Sequence, residues 1–211
     1  MIKNVLPKDI EARSFEIITE ELQDMGIVLE EVNELVIKRA IHTSADFSYA
    51  ENLVFSEDVV KNSIALFKEG CTIVTDTNMG KSGINKTACA KLGINVECFI
   101  ADEDVAKMAK EDGTTRATAS IVKASKIEGN VVFAIGNAPT ALIKIEEMIK
   151  AKQLDPKLVI AVPVGFVNVV ESKELILDLE NTPYIVAKGR KGGSNIAASI
   201  VNAILYQATE R

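Results

Sequence analysis

The chain has 211 residues, 47% of them apolar and 26% charged, which is the composition of an ordinary globular protein and excludes a disordered or fibrous one. Its net charge of −6 argues against unspecific binding to nucleic acid, which needs a basic face to displace counterions. No segment is apolar enough to span a membrane, no signal peptide is recognisable, and the three cysteines have no CxxC spacing. We therefore expect a single cytoplasmic domain over residues 1–211, without a zinc site or a disulfide framework.

The first third of the chain has the periodicity of helices. Apolar residues recur at helical spacing over residues 10–25, after Pro7, which suits the first turn of a helix. A second helix is predicted from about residue 30 to residue 42. A third is predicted to begin with a cap at Ser56 and to end at Gly70.

From Cys71 onward, short apolar runs alternate with helical segments. The five runs are CTIVT, NVECFI, VVFAI, LVIAVPV and YIVAK. Their consecutive apolar positions are typical of strands buried on both faces, so the alternation predicts an α/β fold with a parallel five-stranded sheet between two layers of helices. Such folds bind ligands beyond the carboxyl ends of their strands, and the polar motifs of this chain follow the runs.

The last run leads into a basic, glycine-rich segment. Residues 188–194 (KGRKGGS) contain three cations and three glycines, and an apolar helix begins directly after them. Glycines allow a close approach of the backbone, and a helix N-terminus favours an anion. We predict anion binding here, with a solvated surface turn as the alternative. The spacing fits neither GxxxxGK[ST] nor GxGxxG, so it does not indicate a nucleotide.

The segment after CTIVT matches only part of the phosphate-binding loop motif. Residues 76–82 (DTNMGKS) end in GKS, but Thr75 stands where that loop requires a glycine. A phosphate-binding NTPase is therefore only the third candidate function.

The single histidine limits the chemistry that the chain can perform. His42 closes the second predicted helix, and Arg39 lies on the same helical face, three residues earlier. An anion held by Arg39 would lie beside the imidazole. A structural or surface role remains the alternative for an isolated histidine.

Several motifs together resemble the precorrin-8X (cobalt-precorrin-8) methylmutase family of corrinoid biosynthesis. They cover nearly the whole chain in the order of the family, and they are IEARSF at 10–15, IHTSADF at 41–47, Asp76, Met79, Thr115-Arg116, IGNAPTAL at 135–142, PVGFV at 163–167, ESK at 171–173 and GRKGGS at 189–194. The resemblance implies a flavodoxin-like fold, a homodimer, and migration of a methyl group from C-11 to C-12 of the macrocycle, which gives hydrogenobyrinate or its cobalt counterpart. Enzymes of the corrinoid pathway are further candidate partners.

The resemblance also assigns the candidate site. His42 falls on the proton donor and acceptor of the family, and Ser14 and Arg39 fall on its substrate-contacting serine and arginine. The remaining substrate-binding positions are Thr43, Arg116, Asn137, Lys173, Arg190, Lys191, Gly192, Gly193 and Ser194.

The residues suit this reaction. The macrocycle carries several carboxylates, which a locally basic pocket can hold in an otherwise acidic protein. A 1,5-sigmatropic methyl shift requires orientation of the ring and a proton or hydrogen bond on a ring nitrogen. We therefore expect no metal ligands and no cofactor, and any cobalt would belong to the substrate. A tetrapyrrole carrier without catalytic activity is the second candidate function.

Overall fold

The computed structural model describes Leu6 and residues 9–210, and Pro7 lies outside the described residues. Within them, no helix is long and apolar enough to cross a membrane. The strands are β1 Leu53–Phe55, β2 Thr72–Thr75, β3 Asn95–Glu97, β4 Val131–Ile135, β5 Leu158–Ala161 and β6 Tyr184–Ala187. The helices are α1 Ile10–Asp24, α2 Glu31–Ser44, α3 Tyr49–Asn52, α4 Val59–Glu69, α5 Asn78–Gly83, α6 Lys86–Lys91, α7 Glu103–Glu111, α8 Arg116–Ala124, α9 Pro139–Lys150, α10 Val169–Leu177 and α11 Ser194–Ala208.

The strands form one mixed sheet in the order β1-β6-β5-β4-β2-β3. All neighbours from β6 to β3 are parallel, and their order is that of a flavodoxin-like sheet. The five apolar runs are thus confirmed as strands of a mainly parallel sheet. The sheet has a sixth strand, because β1 pairs antiparallel with β6 at the edge. A three-residue strand is too short to show an alternating pattern in the sequence.

Helices cover both faces of the sheet, as the apolar runs predict. On one face α1, α2, α4 and α11 bury their apolar sides against residues such as Ile73 and Ile160. On the other face α8, α9 and α10 pack against residues such as Phe133 and Val159. The helices predicted over residues 10–25 and 30–42 are confirmed as α1 and α2.

The predicted cap of the third helix is wrong. Asp58, in a left-handed conformation with φ of 51°, is the N-cap residue of α4. The hydroxyl of Ser56 accepts a hydrogen bond from the N–H of Tyr184 at 2.9 Å. Ser56 therefore ties the end of β1 to β6, and the unpredicted sixth strand determines its role.

Candidate functional site

The strand order reverses between β2 and β4, and a carboxylate of the chain itself fills this position. Asp76, directly after β2, is 4% exposed. Its oxygens accept hydrogen bonds from the N–H groups of Gly136, Asn137 and Ala138 at 2.9, 2.8 and 2.6 Å. Burial raises the pKa of Asp76, while these three donors act in the opposite direction. The start of α9, where such folds often hold a ligand anion, is therefore occupied.

The start of α11 is fixed against the same region. The hydroxyl groups of Ser194 and Thr77 lie 2.7 Å apart and share a hydrogen bond. A Cβ atom on Gly136 would lie only 2.6 Å from the Cα of Ser194, so only glycine permits this approach. The ends of β2 and β4 thereby position the first residue of α11.

The glycines of the basic segment pack tightly against β5. A Cβ atom on Gly192 would lie 2.0 Å from the carbonyl oxygen of Val162. The N–H of Gly193 donates to the same oxygen at 2.9 Å. Gly192 is thus required by the close approach of the loop to Val162, and Gly193 by its φ of 136°, which other residues rarely adopt.

Of the three cations in the basic segment, Lys191 and Arg190 have partners within the chain. The ammonium of Lys191 lies 2.6 Å from Asp46 and donates to the hydroxyl of Ser48 at 3.0 Å. The hydrogen bond from Lys191 to Asp46 is the main reason that the pKa of Asp46 is lowered. The guanidinium of Arg190 lies 5.4 Å from the centre of the Phe166 ring, within cation–π range.

Lys173 lies beneath the loop rather than on its surface. Its side chain is among the largest that are fully buried, and its ammonium donates to the carbonyl oxygens of Gly189 and Lys191 at 2.8 and 2.9 Å. Burial lowers the pKa of Lys173 to about 8. The sequence alone left open whether Lys173 faces a ligand or solvent. In the structure its side chain faces neither and is buried beneath the loop.

Arg39 is held between two aromatic rings. Its guanidinium lies 4.9 Å from the centre of the Phe15 ring and 5.0 Å from that of Tyr206, and it donates to Glu11 at 2.9 Å. Its Nε atom is buried and has no hydrogen-bond partner among the residues that the structure describes. The stacking fixes the plane of the guanidinium, so its direction toward an anion is preorganised.

His42 is exposed and borders two concave regions. One, of about 280 Å³, is also lined by Arg39, Thr43 and residues of α11. The other, of about 230 Å³, is lined by Ser14, Ile17 and Phe47 among others. The imidazole contacts the Phe15 ring edge to face, with the ring centres 5.8 Å apart. His42 is therefore accessible to a ligand from both sides.

Arg116 and Asn137 lie exposed farther along the carboxyl edge of the sheet. Arg116 is the first residue of α8, and the hydroxyl of Thr115 before it bonds that of Thr140 in α9 at 2.9 Å. This bond connects the start of α8 with the start of α9, which Asn137 precedes. Arg116, Asn137 and the loop thus lie beyond the strand ends, with Lys173 beneath the loop. Ser14, Arg39, His42 and Thr43 lie instead on α1 and α2, around the two concave regions.

Sequence reasoning missed the polar residues of α11 that line the cavity beside His42. Asn195, Asn202 and Tyr206 belong to this lining. Asn202 also accepts from the N–H of Asn85 at 2.8 Å and donates to the carbonyl of Gly83 at 2.9 Å. Their spacing of seven and four residues on an otherwise apolar helix was the signal that could have revealed them.

Comparisons with known proteins identify the family of the chain. The precorrin-8X methylmutase family matches residues 9–207. A cobalt-precorrin-8 methylmutase of Leptospira interrogans is 42% identical, with 98% of this chain and 96% of that protein covered. A precorrin-8X methylmutase of Pseudomonas aeruginosa is 35% identical, with 94% and 93% covered. The precorrin-8X methylmutase structure from Thermus thermophilus superposes with a TM-score of 0.86 at 30% identity, with 96% and 98% covered. The chain belongs to the precorrin-8X methylmutase family.

Proposed function

We propose that His42 is the catalytic residue of a methyl shift within a corrinoid macrocycle. The chain is a methylmutase, an isomerase of cobalamin biosynthesis that moves a methyl group from C-11 to C-12 of precorrin-8X or cobalt-precorrin-8. The observation that carries the role of His42 is its exposed imidazole between two concave regions, one of them shared with Arg39.

A sigmatropic shift forms and breaks its bonds within one molecule, so it requires no nucleophile from the protein. The ring must be held in the reactive geometry, and its π system must be made electron-poor. A proton or hydrogen bond from His42 to a ring nitrogen supplies the second requirement. No cofactor enters this scheme.

The carboxylates of the macrocycle provide most of the attachment in this proposal. Arg39 is preorganised beside His42, and Arg116 and Asn137 are exposed beyond the carboxyl ends of the strands. The loop of residues 190–194 lies near the start of α11, whose Asn195 shares the cavity with His42. A broad, flat ligand can therefore reach the loop and the imidazole at once.

We further propose that the natural substrate contains cobalt. The relatives that are 40–42% identical to this chain are named cobalt-precorrin-8 methylmutases, whereas the Pseudomonas aeruginosa precorrin-8X methylmutase is 35% identical. The metal would enter and leave inside the substrate. Conversion rates of precorrin-8X and cobalt-precorrin-8, measured side by side, test this choice.

We also propose a homodimer whose interface adjoins the site. Large apolar side chains are exposed on α1, α2 and the loop between them, where Val28 is 95% exposed. The others are Ile10, Ile17, Met25, Val32 and Leu35. Ile17 also lines the concave region that contains Ser14 and His42, so a second subunit covering this surface would complete the pocket.

The decisive experiment is single-turnover conversion of each substrate, followed by the visible spectrum, with a separate binding titration. We expect His42→Ala to fold and bind, because the residue is exposed, but to lose about 10²–10⁴ in rate. Arg39→Ala should impair binding at least as much as turnover. If His42→Ala converted the substrate at nearly the wild-type rate, proton assistance by His42 would be contradicted. If the wild-type protein bound the substrate without converting it, the protein would be a carrier.

A further inference from the structure

Lys173 is the least expected charge in the structure. Its side chain is 1% exposed, and burial is the cause of its lowered pKa. Its hydrogen bonds go to two backbone carbonyls, those of Gly189 and Lys191, and no ion pair joins it to a carboxylate of residues 9–210. Burying an ammonium without a counter-charge is costly, so its position requires an explanation.

The two carbonyls that Lys173 holds flank Arg190. The carbonyl of Arg190 itself accepts from the N–H of Gly165 at 3.2 Å. Three successive carbonyl groups of the loop are thus bound by donors from α10 and from the segment that precedes it.

These bonds determine the direction of the N–H groups. In a trans peptide the C=O and N–H groups point in opposite directions. The N–H groups of Arg190 and Gly192 therefore point away from the buried ammonium, and that of Lys191 points away from Gly165. None of the three donates a hydrogen bond within the part of the chain that the structure describes. Backbone N–H groups without an acceptor can bind an oxyanion through charge-assisted hydrogen bonds.

The side chains of the loop are engaged elsewhere. Lys191 is paired with Asp46, and Arg190 stacks on Phe166. The backbone N–H groups of residues 190–192, which lie above the positive charge of Lys173, thus remain available to bind a ligand.

We infer that Lys173 is a positioning residue, which presents the backbone N–H groups of residues 190–192 to a carboxylate of the corrinoid substrate. This inference rests on the proposed function. It assigns to the backbone a contact that the sequence assigned to the cationic side chains. The substrate carboxylate would also supply the counter-charge that Lys173 lacks.

Hydrogen exchange of the wild-type protein tests the contact directly. Amides 190–192 should exchange fast in the free protein, since they have no acceptor, and should become protected when hydrogenobyrinate is added at saturating concentration. The amide of Gly193, which is bonded to Val162, should be protected in both states. Unchanged exchange at 190–192 on a protein that binds hydrogenobyrinate would overturn the inference.

Kinetics of Lys173→Met test the positioning role. This substitution keeps the length of the side chain and removes its donors. We expect KM to rise about ten- to hundredfold, as for lost hydrogen bonds to a charged group, while kcat changes less than about threefold. The matched control is Lys123→Met, which removes a lysine paired with Asp102 and Asp104 away from the loop and should keep both constants.

The outcomes separate the inference from the proposed function. If Lys173→Met folds and its KM equals that of the wild type, whether or not kcat falls, the positioning role is overturned. The proposed methyl shift is not affected by this outcome. If Lys173→Met does not fold, the exchange of the wild-type amides decides alone. A wild-type protein that neither binds nor converts a corrinoid would overturn the proposed function, and this inference with it.

Discussion

The carboxylate of Asp76 should hold the switch point of the sheet together, and Asp76→Asn tests this with the smallest possible change. The substitution keeps the shape of the side chain but replaces one oxygen by an NH₂ group. In the better of the two amide orientations, the remaining oxygen still accepts hydrogen bonds from the N–H groups of Asn137 and Ala138, which lie 2.8 and 2.6 Å from it in the wild type. The new NH₂ group then faces the N–H of Gly136, which is 2.9 Å from the present oxygen.

The magnitude follows from these contacts. One hydrogen bond to a charged acceptor, worth about 1.5–3 kcal/mol, is lost, and a buried donor stays unsatisfied. The variant no longer buries a charge, and this gain offsets part of the loss, since burial raises the pKa of Asp76. We expect a net decrease of about 1–3 kcal/mol in the free energy of unfolding. Asp76→Ala, which removes all three bonds, should cost about 3–5 kcal/mol.

Urea unfolding followed by circular dichroism measures both variants against the wild type. Asp112→Asn, at an exposed carboxylate after α7, is the matched control and should stay within about 0.5 kcal/mol of the wild type. If Asp76→Asn were as stable as this control, the hydrogen bond to Gly136 would contribute no net stability, and the reasoning about the switch point would be refuted.

Three further predictions concern the loop, the interface and the buried lysine. Arg190→Ala should change the free energy of corrinoid binding by less than about 1 kcal/mol, because the backbone of the loop and not this side chain makes the contact; a loss of about 1–3 kcal/mol that shrinks at high salt would return the contact to the side chain. Leu35→Asp should shift the sedimentation coefficient to that of a monomer, whereas a fully active wild-type monomer would exclude the interface. For Lys173, folding lowers the pKa from 10.5 to about 8. Between these two pH values the unfolded chain binds more protons than the folded chain, so the free energy of unfolding should rise with pH across that window. The free energy of unfolding of the wild type should rise by about 3 kcal/mol relative to that of Lys173→Met across this pH window. A difference between the two proteins that stays constant with pH would refute the burial argument.

The sequence predicted the parallel sheet because each strand is a continuous apolar run that is buried on both faces. β4, for example, is buried at all five positions. It also predicted where the polar motifs would lie, since parallel strands end at the same edge. These are local patterns, and local patterns are what a single sequence shows.

The contacts that could not be predicted join segments far apart in the chain. The pairing of Ser56 with Tyr184 depends on an edge strand of three residues, and that of Lys191 with Asp46 on the packing of α2 against α11. The sequence left open whether Lys173 faces a ligand or solvent, because the residues around it do not reveal that its side chain lies beneath the loop. Charged residues are rarely buried, so composition argues against the observed position.

The two helix N-termini at the switch point have opposite electrostatic roles. At α9 the carboxylate of Asp76 already satisfies three N–H groups, so a ligand anion there would meet a buried negative charge. Before α11 the arrangement is reversed, because the buried ammonium of Lys173 lies beneath N–H groups that have no acceptor. An acidic protein thereby attracts a polyanion at one place without relying on its net charge. The anionic ligand is consequently expected on the α11 side of the switch point. That side also contains the cavity where Asn195, Arg39 and His42 meet, so the electrostatics and the candidate catalytic residue favour the same position for the macrocycle.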